Sequence, residues 1–354
     1  MARAKGQRLD RVDWRDRPAG CSRAANRTVP ETEALVLELR QQLKAESDLG
    51  EFGAEAIYRE LQARGPLVLP SRRTIGRILE RHGALDGRRR TRRLPPPPGW
   101  YLPDLATGLA ELDSFDGVEG LVIKGGPGLE VLNAISLQGK LAGSWPFPDT
   151  ITATRVIAAL TAHWQRFGLP TYAQFDNHPV FHGPLRHREL IGRVSRFCLA
   201  GGVIPVFAPP RETGFQAAIE NYNGRWQAKV GARFHFASMT QLQTQSDKFV
   251  TALNRRHAAL REAAPQRKPF PENFDAAKKI PLAGRISYLR RTDEKGLVKL
   301  LGQRFEADKH WLHRLVRCEV DLTVGSVRFF ALRRREPKWQ PLLREIPYQI
   351  RPKR

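Results

Sequence analysis

Little in this sequence suits a membrane-spanning or secreted protein. Only three of its 354 residues are cysteines, and they are too few and too far apart for a disulfide framework or a zinc site. No apolar run reaches the roughly eighteen residues that a transmembrane helix needs. The first residues also lack the apolar segment of a signal peptide. We therefore expect a reduced, intracellular protein without a membrane partner.

Negative charge is also scarce. The chain holds 59 Lys and Arg against 36 Asp and Glu, a net charge of +23. The excess lies at the two ends: the net charge is +8 over residues 1–99, +3 over 100–260 and +12 over 261–354. This balance favours a polyanionic partner, and we expect nucleic acid. A ribosomal or chromatin protein that is merely basic would show the same net charge.

The length predicts two or three domains. Composition and periodicity suggest boundaries between them. We predict a flexible arm (1–27), a helix-turn-helix domain (28–86), a basic Pro-rich linker (87–103), an α/β core (104–262), a second linker (263–284), a small β-barrel (285–335) and a basic tail (336–354).

The N-terminal domain is predicted to contain three helices. Thr28 and Glu31 form a capping box before apolar residues at helical spacing, and a second helix is expected over about 53–64. Ser71 is placed to cap a third helix. Its outer face carries three arginines, Arg72, Arg73 and Arg77. The pattern predicts a helix-turn-helix whose third helix enters the major groove, and the alternative is a small bundle with a solvated basic face.

The linker combines arginines and prolines. Its first arginines are Arg88, Arg89 and Arg90, which we expect to follow DNA phosphates, and four consecutive prolines favour an extended spacer. At the other end of the chain, residues 315–324 alternate between apolar and charged side chains, as a strand with one buried face does. We expect the arginines of this C-terminal barrel, including Arg334, to contact the phosphate backbone.

In the core, the predicted secondary structure is a run of strands followed by alternating helices and strands. Three strands are predicted over 112–123, 129–137 and 140–147, and an amphipathic helix over 152–168. Such an order predicts a mixed sheet flanked by helices.

Carboxylates in this core suggest phosphodiester chemistry. Cleavage without a covalent intermediate uses divalent metals held by acids at strand ends and on a neighbouring helix. Asp113 lies in the first strand, Asp176 ends a later strand, and Glu220 lies on a helix. Asn223 and Gln227 share the helix face of Glu220 and are expected to contact DNA. Each acid alone is equally compatible with a solvated or turn residue.

Three segments resemble a known family. ELDSFDGVEG, FGLPTYAQFDNHPVFHG and PPRETGFQAAIENYNGRWQ are similar to the integrase core of retroviral integrases and bacterial insertion-sequence transposases. The N-terminal helices and the C-terminal strands resemble the flanking DNA-binding domains of those transposases, so the resemblance spans roughly residues 30–335. Its most specific part is FGLPTYAQFDN, where a helix end, a Gly-Leu-Pro turn, a strand and Asp-Asn follow in the family's order.

The resemblance implies a fold, a chemistry and partners. It implies a ribonuclease-H-like core, two Mg²⁺ or Mn²⁺ ions per active site, and a DDE triad of Asp113, Asp176 and Glu220. The reaction implied is DNA strand cleavage and strand transfer between element ends and target DNA, in a prokaryotic cytoplasm or nucleoid. Because two DNA ends must be paired, a homo-oligomer assembled on DNA is expected.

Several positions depart from the family's pattern. Asp116 competes for the first place in the triad, and Asp113 is preferred because a polar and an apolar residue precede it as in the family. His178 follows Asp-Asn where glycine is usual, and Ala217 stands where glycine usually precedes the glutamate. The zinc module of retroviral integrases is absent from the sequence. Two alternatives stay open: a DNA-binding regulator that has lost the chemistry, and a nuclease without strand transfer.

Overall fold

The computed structural model describes most of the chain in nine ranges. These are 28–46, 52–65, 69–85, 98–123, 128–183, 191–212, 214–232, 235–274 and 282–350. The predicted arm 1–27 and the linker arginines Arg88, Arg89 and Arg90 lie outside these ranges. The chain divides into two compact units, Met1–Leu94 and Pro95–Arg354.

The described part of the first unit contains three helices at the predicted positions, α1 (Pro30–Glu46), α2 (Ala54–Arg64) and α3 (Arg72–Arg81). The hydroxyl of Ser71 accepts a hydrogen bond from the backbone N–H of Thr74 at 3.2 Å, so the predicted cap of α3 is confirmed. The helices pack around one apolar cluster formed by Val36, Leu39, Ile57, Leu61, Ile75, Ile78 and Leu79. Three helices are thus confirmed, whereas their function as a helix-turn-helix stays a prediction.

The second unit contains the remaining elements. Its helices are α4 (Pro103–Ala106), α5 (Ala153–Phe167), α6 (Pro179–His182), α7 (Arg193–Ala200), α8 (Ala217–Trp226), which continues into a π-helical turn (Gln227–Gly231), α9 (Met239–Arg256) and α10 (Ala258–Glu262). Its strands are β1 (Leu112–Val122), β2 (Gly128–Ser136), β3 (Ala142–Pro148), β4 (Tyr172–Phe175), β5 (Ile204–Phe207), β6 (Arg285–Arg291), β7 (Leu297–Leu300), β8 (Gln303–Glu306), β9 (Leu315–Asp321), β10 (Ser326–Ala331) and β11 (Leu342–Pro347). No helix within the described ranges combines the length and apolarity needed to cross a membrane.

A large mixed sheet organises this unit. β1, β2 and β3 are antiparallel neighbours, and β4 and β5 add to the other side of β1 as parallel strands. Helices α5 and α7 cover one face of the sheet and α8 packs on the other, because the strands of the centre carry apolar side chains on both faces. The predicted mixed α/β core flanked by helices is confirmed.

The C-terminal strands continue the same sheet. β6 pairs in parallel with β5 through Val206 opposite Ser287 and Phe207 opposite Tyr288. The strand order is β11-β10-β9-β6-β5-β4-β1-β2-β3, and β7 and β8 form a separate hairpin. The small β-barrel predicted over 285–335 is therefore not confirmed as a separate domain. The predicted tail 336–354 also needs correction, since it contains β11.

The two predicted linkers are partly built into the core. Trp100, Tyr101 and Leu102 are each 3% exposed or less, and the rings of Trp100 and Tyr101 pack against Phe215. In the second linker, the backbone of Lys268 bridges to Leu169. Burial of large apolar side chains outweighs the extended tendency of the preceding prolines. Residues 98–103 and 263–274 therefore belong to the core unit.

A buried ion pair holds residues 263–274 against the core. The guanidinium of Arg267 donates to both carboxylate oxygens of Asp113, at 3.0 and 2.5 Å, and the indole N–H of Trp164 donates to Asp113 at 3.0 Å. Asp113 is 0% exposed. Burial by itself would raise the pKa of this carboxyl, but attraction to Arg267 and the hydrogen bonds from Arg267 hold the pKa below its usual range. Asp113 is therefore a charged structural residue.

We expect Arg267→Ala to lower the free energy of unfolding by about 3–5 kcal/mol at neutral pH, because it leaves the buried Asp113 carboxylate without its counter-charge. Chemical denaturation measures this. Since the folded-state pKa of Asp113 lies below its unfolded value, the stabilisation is present above the unfolded pKa and is lost as the pH falls through the folded pKa. The difference between wild type and variant should therefore narrow in acid.

The control is Arg291→Ala, which breaks an equally well-formed but exposed pair with Glu212, at 2.6 and 2.7 Å. The Arg291 side chain is 47% exposed, so the expected loss is under about 1 kcal/mol. Equal losses for the two variants would contradict the structural role assigned to Arg267.

Candidate active site

Asp113 and Asp116 project to opposite faces of β1. Side chains alternate along a strand, so residues three apart cannot share a face. Asp113 and Phe115 face α5, where Trp164 contacts both of them. Asp116 faces α8, and Asn223 of that helix donates to its carboxylate at 2.8 Å. The expectation that Asp113 is the first carboxylate of the site is therefore corrected: its oxygens are enclosed by Arg267, and Asp116 is the acid that the site presents.

Asp176 lies beside Asp116 because of the parallel pairing of β1 with β4. Ser114 and Gln174 are register partners, and their side chains approach each other to 3.4 Å. Asp116 and Asp176 each follow two residues later, so both continue the face of that pair. Neighbouring strands are roughly 5 Å apart, which brings the two carboxyl groups together where β4 ends, a position that we call the carboxylate edge.

Asn223 forms hydrogen bonds both to Asp116 and to a residue of the protein interior. Its side-chain carbonyl accepts a hydrogen bond from Asn133 at 2.9 Å, and its amide donates to Asp116. Asn133 is fully buried and is the register partner of Asp116 on β2. The backbone N–H of Gly117 donates to the other oxygen of Asp116 at 3.0 Å. We expected Asn223 to contact DNA, but its amide is engaged in orienting Asp116.

Glu220 lies in the first turn of α8, exposed and one turn before Asn223. An acid at this position is favoured by the positive end of the helix dipole. Two buried aromatic residues fix the helix: the Tyr222 hydroxyl is 2.7 Å from that of Ser144, and the Trp226 indole donates to Ser246 at 3.0 Å. Trp164, Trp226 and Phe215 are core residues, since each is at most 4% exposed.

The three carboxylates share one electrostatic environment. Burial raises the pKa of Asp116 to about 6, and the charge of Asp176 adds to this effect. Hydrogen bonds from Gly117 and Asn223 lower it, and the charge of Glu220 raises it further. Within the described part of the chain, none of the three acids forms an ion pair with Lys or Arg. Their repulsion is therefore not neutralised by the protein.

These donors fit a hard divalent cation in their chemistry. All are carboxylate oxygens, which Mg²⁺ prefers, and a cation would offset the repulsion that raises the pKa of Asp116. Among the residues that the structure describes, no three His, Cys, Asp or Glu side chains are close enough to coordinate one ion. Asp116 and Asp176 are the pair suited to hold it, and Glu220 is the third acid near them.

The loop after Asp176 is clamped by a residue from the C-terminal strands. The amide of Asn177 donates to the carbonyl of Ala208 at 2.7 Å, and Arg290 of β6 donates to the Asn177 carbonyl oxygen at 3.0 Å. Sequence reasoning missed Arg290, because 113 positions separate it from Asn177 and no local pattern marks it. His178 has a structural role in the same loop: its Nδ1 accepts from the N–H of Val180 at 3.3 Å.

The predicted DNA-contacting residues differ in their exposure and in the contacts that their side chains already make. Arg73 and Arg77 are exposed on α3. Arg72 instead pairs with Glu55 at 2.6 Å and lies 4.2 Å from the centre of the Tyr58 ring. Gln227 is exposed in the π-helical turn, and Arg334 is exposed with its guanidinium over the rings of Trp100 and Phe215. Arg73, Arg77, Gln227 and Arg334 thus remain available to a partner.

No protein-family model and no curated protein matches this sequence. Among solved structures, the catalytic core domain of BIV integrase is similar at 16% identity and a TM-score of 0.32, over 41% of this chain and 84% of that chain. A simian T-cell lymphotropic virus intasome chain is similar at 12% identity and a TM-score of 0.37, over 83% and 91%. The HTLV-2 integrase catalytic core domain in complex with magnesium is similar at 13% identity and a TM-score of 0.31, over 39% and 82%. Likenesses of this size do not by themselves establish a function for this chain.

We expect Asn223→Ala to raise the pKa of Asp116 above its value of about 6, because the hydrogen bond that it removes stabilises the ionised carboxylate. Titration of the carboxyl carbon by NMR, in metal-free protein, measures the shift. The control is Asn221→Ala, an exposed residue two positions earlier on the same helix, which should leave the titration unchanged. An unchanged titration in Asn223→Ala would show that the amide does not control Asp116.

Proposed function

We propose that this protein is a DNA transposase or integrase that cleaves DNA strands and transfers them to a target, with Asp116, Asp176 and Glu220 as its carboxylate triad. The observation that carries the proposal is the proximity of Asp116 and Asp176 where β4 ends, beside the helix of Glu220. A set of acids that repel one another without a basic partner is costly for a fold and is typical of a functional site.

Each residue has a separate task in this proposal. Asp116 and Asp176 hold divalent metal, Mg²⁺ or Mn²⁺ and by the family resemblance two ions, and Glu220 completes the set. Bound metal supplies activation of a water or a 3′-hydroxyl and neutralises charge on the leaving oxygen. Asn223 orients the carboxylate of Asp116 through its amide. Asn177 and Arg290 keep the Asp176 loop at the sheet edge.

The partner in this proposal is double-stranded DNA, as element ends and as target. The net charge of +23 supports a polyanion. Arg73 and Arg77 on the outer face of α3 are suited to base edges in the major groove, where arginine pairs with guanine. Two DNA ends are joined in one reaction, which calls for a homo-oligomer on DNA.

We expect Asp116→Asn to reduce strand cleavage by at least ~100-fold, about 2.7 kcal/mol of transition-state stabilisation. It should unfold at an equal or higher temperature than wild type, because one repelling charge is removed. Gel assays with Mg²⁺ or Mn²⁺ on DNA that carries the element ends measure cleavage and joining separately. A DNA-binding regulator would show neither, and a nuclease would cleave without joining.

The matched variant is Asp113→Asn, which removes the other carboxylate of β1. It should lower the unfolding temperature by breaking the pair with Arg267, while the folded fraction keeps cleavage activity. If Asp116→Asn cleaved at near wild-type rate, or if well-folded Asp113→Asn were inactive, the assignment of Asp116 would be wrong.

We expect Arg73→Ala to reduce discrimination between element-end and random DNA by roughly 1–3 kcal/mol, the range for a bidentate contact with a base. Arg334→Ala should weaken binding to both DNAs about equally, because a phosphate contact carries no sequence information. Competition binding with the two DNAs measures both effects. Loss of discrimination in Arg334→Ala, with discrimination kept in Arg73→Ala, would reverse these roles.

A further inference from the structure

A groove of about 630 Å³ lies between α8 with its π-helical turn and α9. Four basic residues line it, Arg225 and Lys229 from the first side and Lys248 and Arg256 from the second. None of the described residues that line it is Asp or Glu. We call this surface the α8–α9 basic groove.

The four cations are exposed and unneutralised. Within the described part of the chain, none of them forms an ion pair, whereas Arg291 and Arg317 elsewhere in the same unit do. Four like charges around one groove repel one another and do not stabilise the fold. Their arrangement is explained by an anionic partner that carries several charges.

The groove is held rigidly by the helices that form it. Trp226 is fully buried and donates to Ser246 of α9, and Val230 and Leu253 are buried beneath the cations. Lys229 lies in the π-helical turn, a backbone distortion that often marks functional sites. The charges are therefore presented from fixed backbone positions.

The groove and Glu220 share one helical segment. Lys229 is nine residues beyond Glu220 along the same continuous helical segment, roughly 13 Å at 1.5 Å per residue. That distance corresponds to about four base pairs at 3.4 Å each. A duplex that passes Glu220 is therefore long enough to span this axial separation.

We propose that the α8–α9 basic groove binds the phosphate backbone of double-stranded DNA, independently of sequence. This inference rests on the proposed function and adds a DNA surface within the core, where the net charge of residues 100–260 is only +3. Charge complementarity selects the partner, since lysine and arginine on phosphate release counterions along the duplex.

The test is the salt dependence of binding by the full chain to a random-sequence duplex, with chelator present so that no strand is cut. Each phosphate contact contributes about 0.9 to the slope of log affinity against log salt. The double variant Lys248→Ala/Arg256→Ala should therefore reduce the slope by up to about 1.8.

The matched control is Arg166→Ala/Arg255→Ala, which removes the same charge from two exposed helix positions. Arg255 precedes Arg256 on α9 but lines a different groove, against β3 and α5. We expect the slope of this control variant to change much less. Equal changes of slope in both double variants would show that only net charge matters. An unchanged slope in the groove variant would favour an acidic protein as the partner of the groove, and either result overturns the proposal.

Thermal unfolding of both double variants confirms that they are folded. The result is separable from the cleavage assay with Asp116→Asn. If cleavage fails but the slope falls as expected, the groove is a DNA surface on a protein that is not a transposase. If cleavage depends on Asp116 and the slope is unchanged, the groove inference alone is wrong.

Discussion

The buried pair of Asp113 with Arg267 is the constraint on which the site depends. It fixes one face of β1 against α5, with Trp164 as a further donor to the same carboxylate. Once Asp113 points into that side, strand alternation directs Asp116 to the opposite side, toward α8. The same pair holds residues 263–274 against the core. One interaction thus orients Asp116 and fastens the segment that follows α10 to the core.

The candidate active site is assembled from the whole of the second unit. β1 and β4 supply Asp116 and Asp176, and α8 supplies Glu220 with the amide that orients Asp116. The C-terminal strands contribute through Arg290, which reaches the Asp176 loop because β6 is a neighbour of β5 in one sheet. The C-terminal strands therefore contact the loop that carries Asp176 directly.

Charge is distributed on two scales. Over long segments the ends are basic and the middle is nearly balanced. Within the middle, however, acids collect at the carboxylate edge and exposed cations collect in the α8–α9 basic groove. A segment with little net charge can therefore present both a cation-binding edge and an anion-binding groove, because folding separates charges that are interspersed along the chain.

The sequence by itself determined the features that depend on residues close together along the chain. Helix periodicity and the Ser71 cap located the helices of the first unit, and alternation located the C-terminal strand β9. Asp176 at a strand end and Glu220 on a helix were identified as site candidates from the same local patterns. Only the tertiary structure decided between Asp113 and Asp116, because alternation separates their faces but the packing of α5 and α8 determines which face is enclosed. It also decided that β6 joins β5 and that Arg290 meets Asn177, since pairing between distant strands leaves no trace in local sequence.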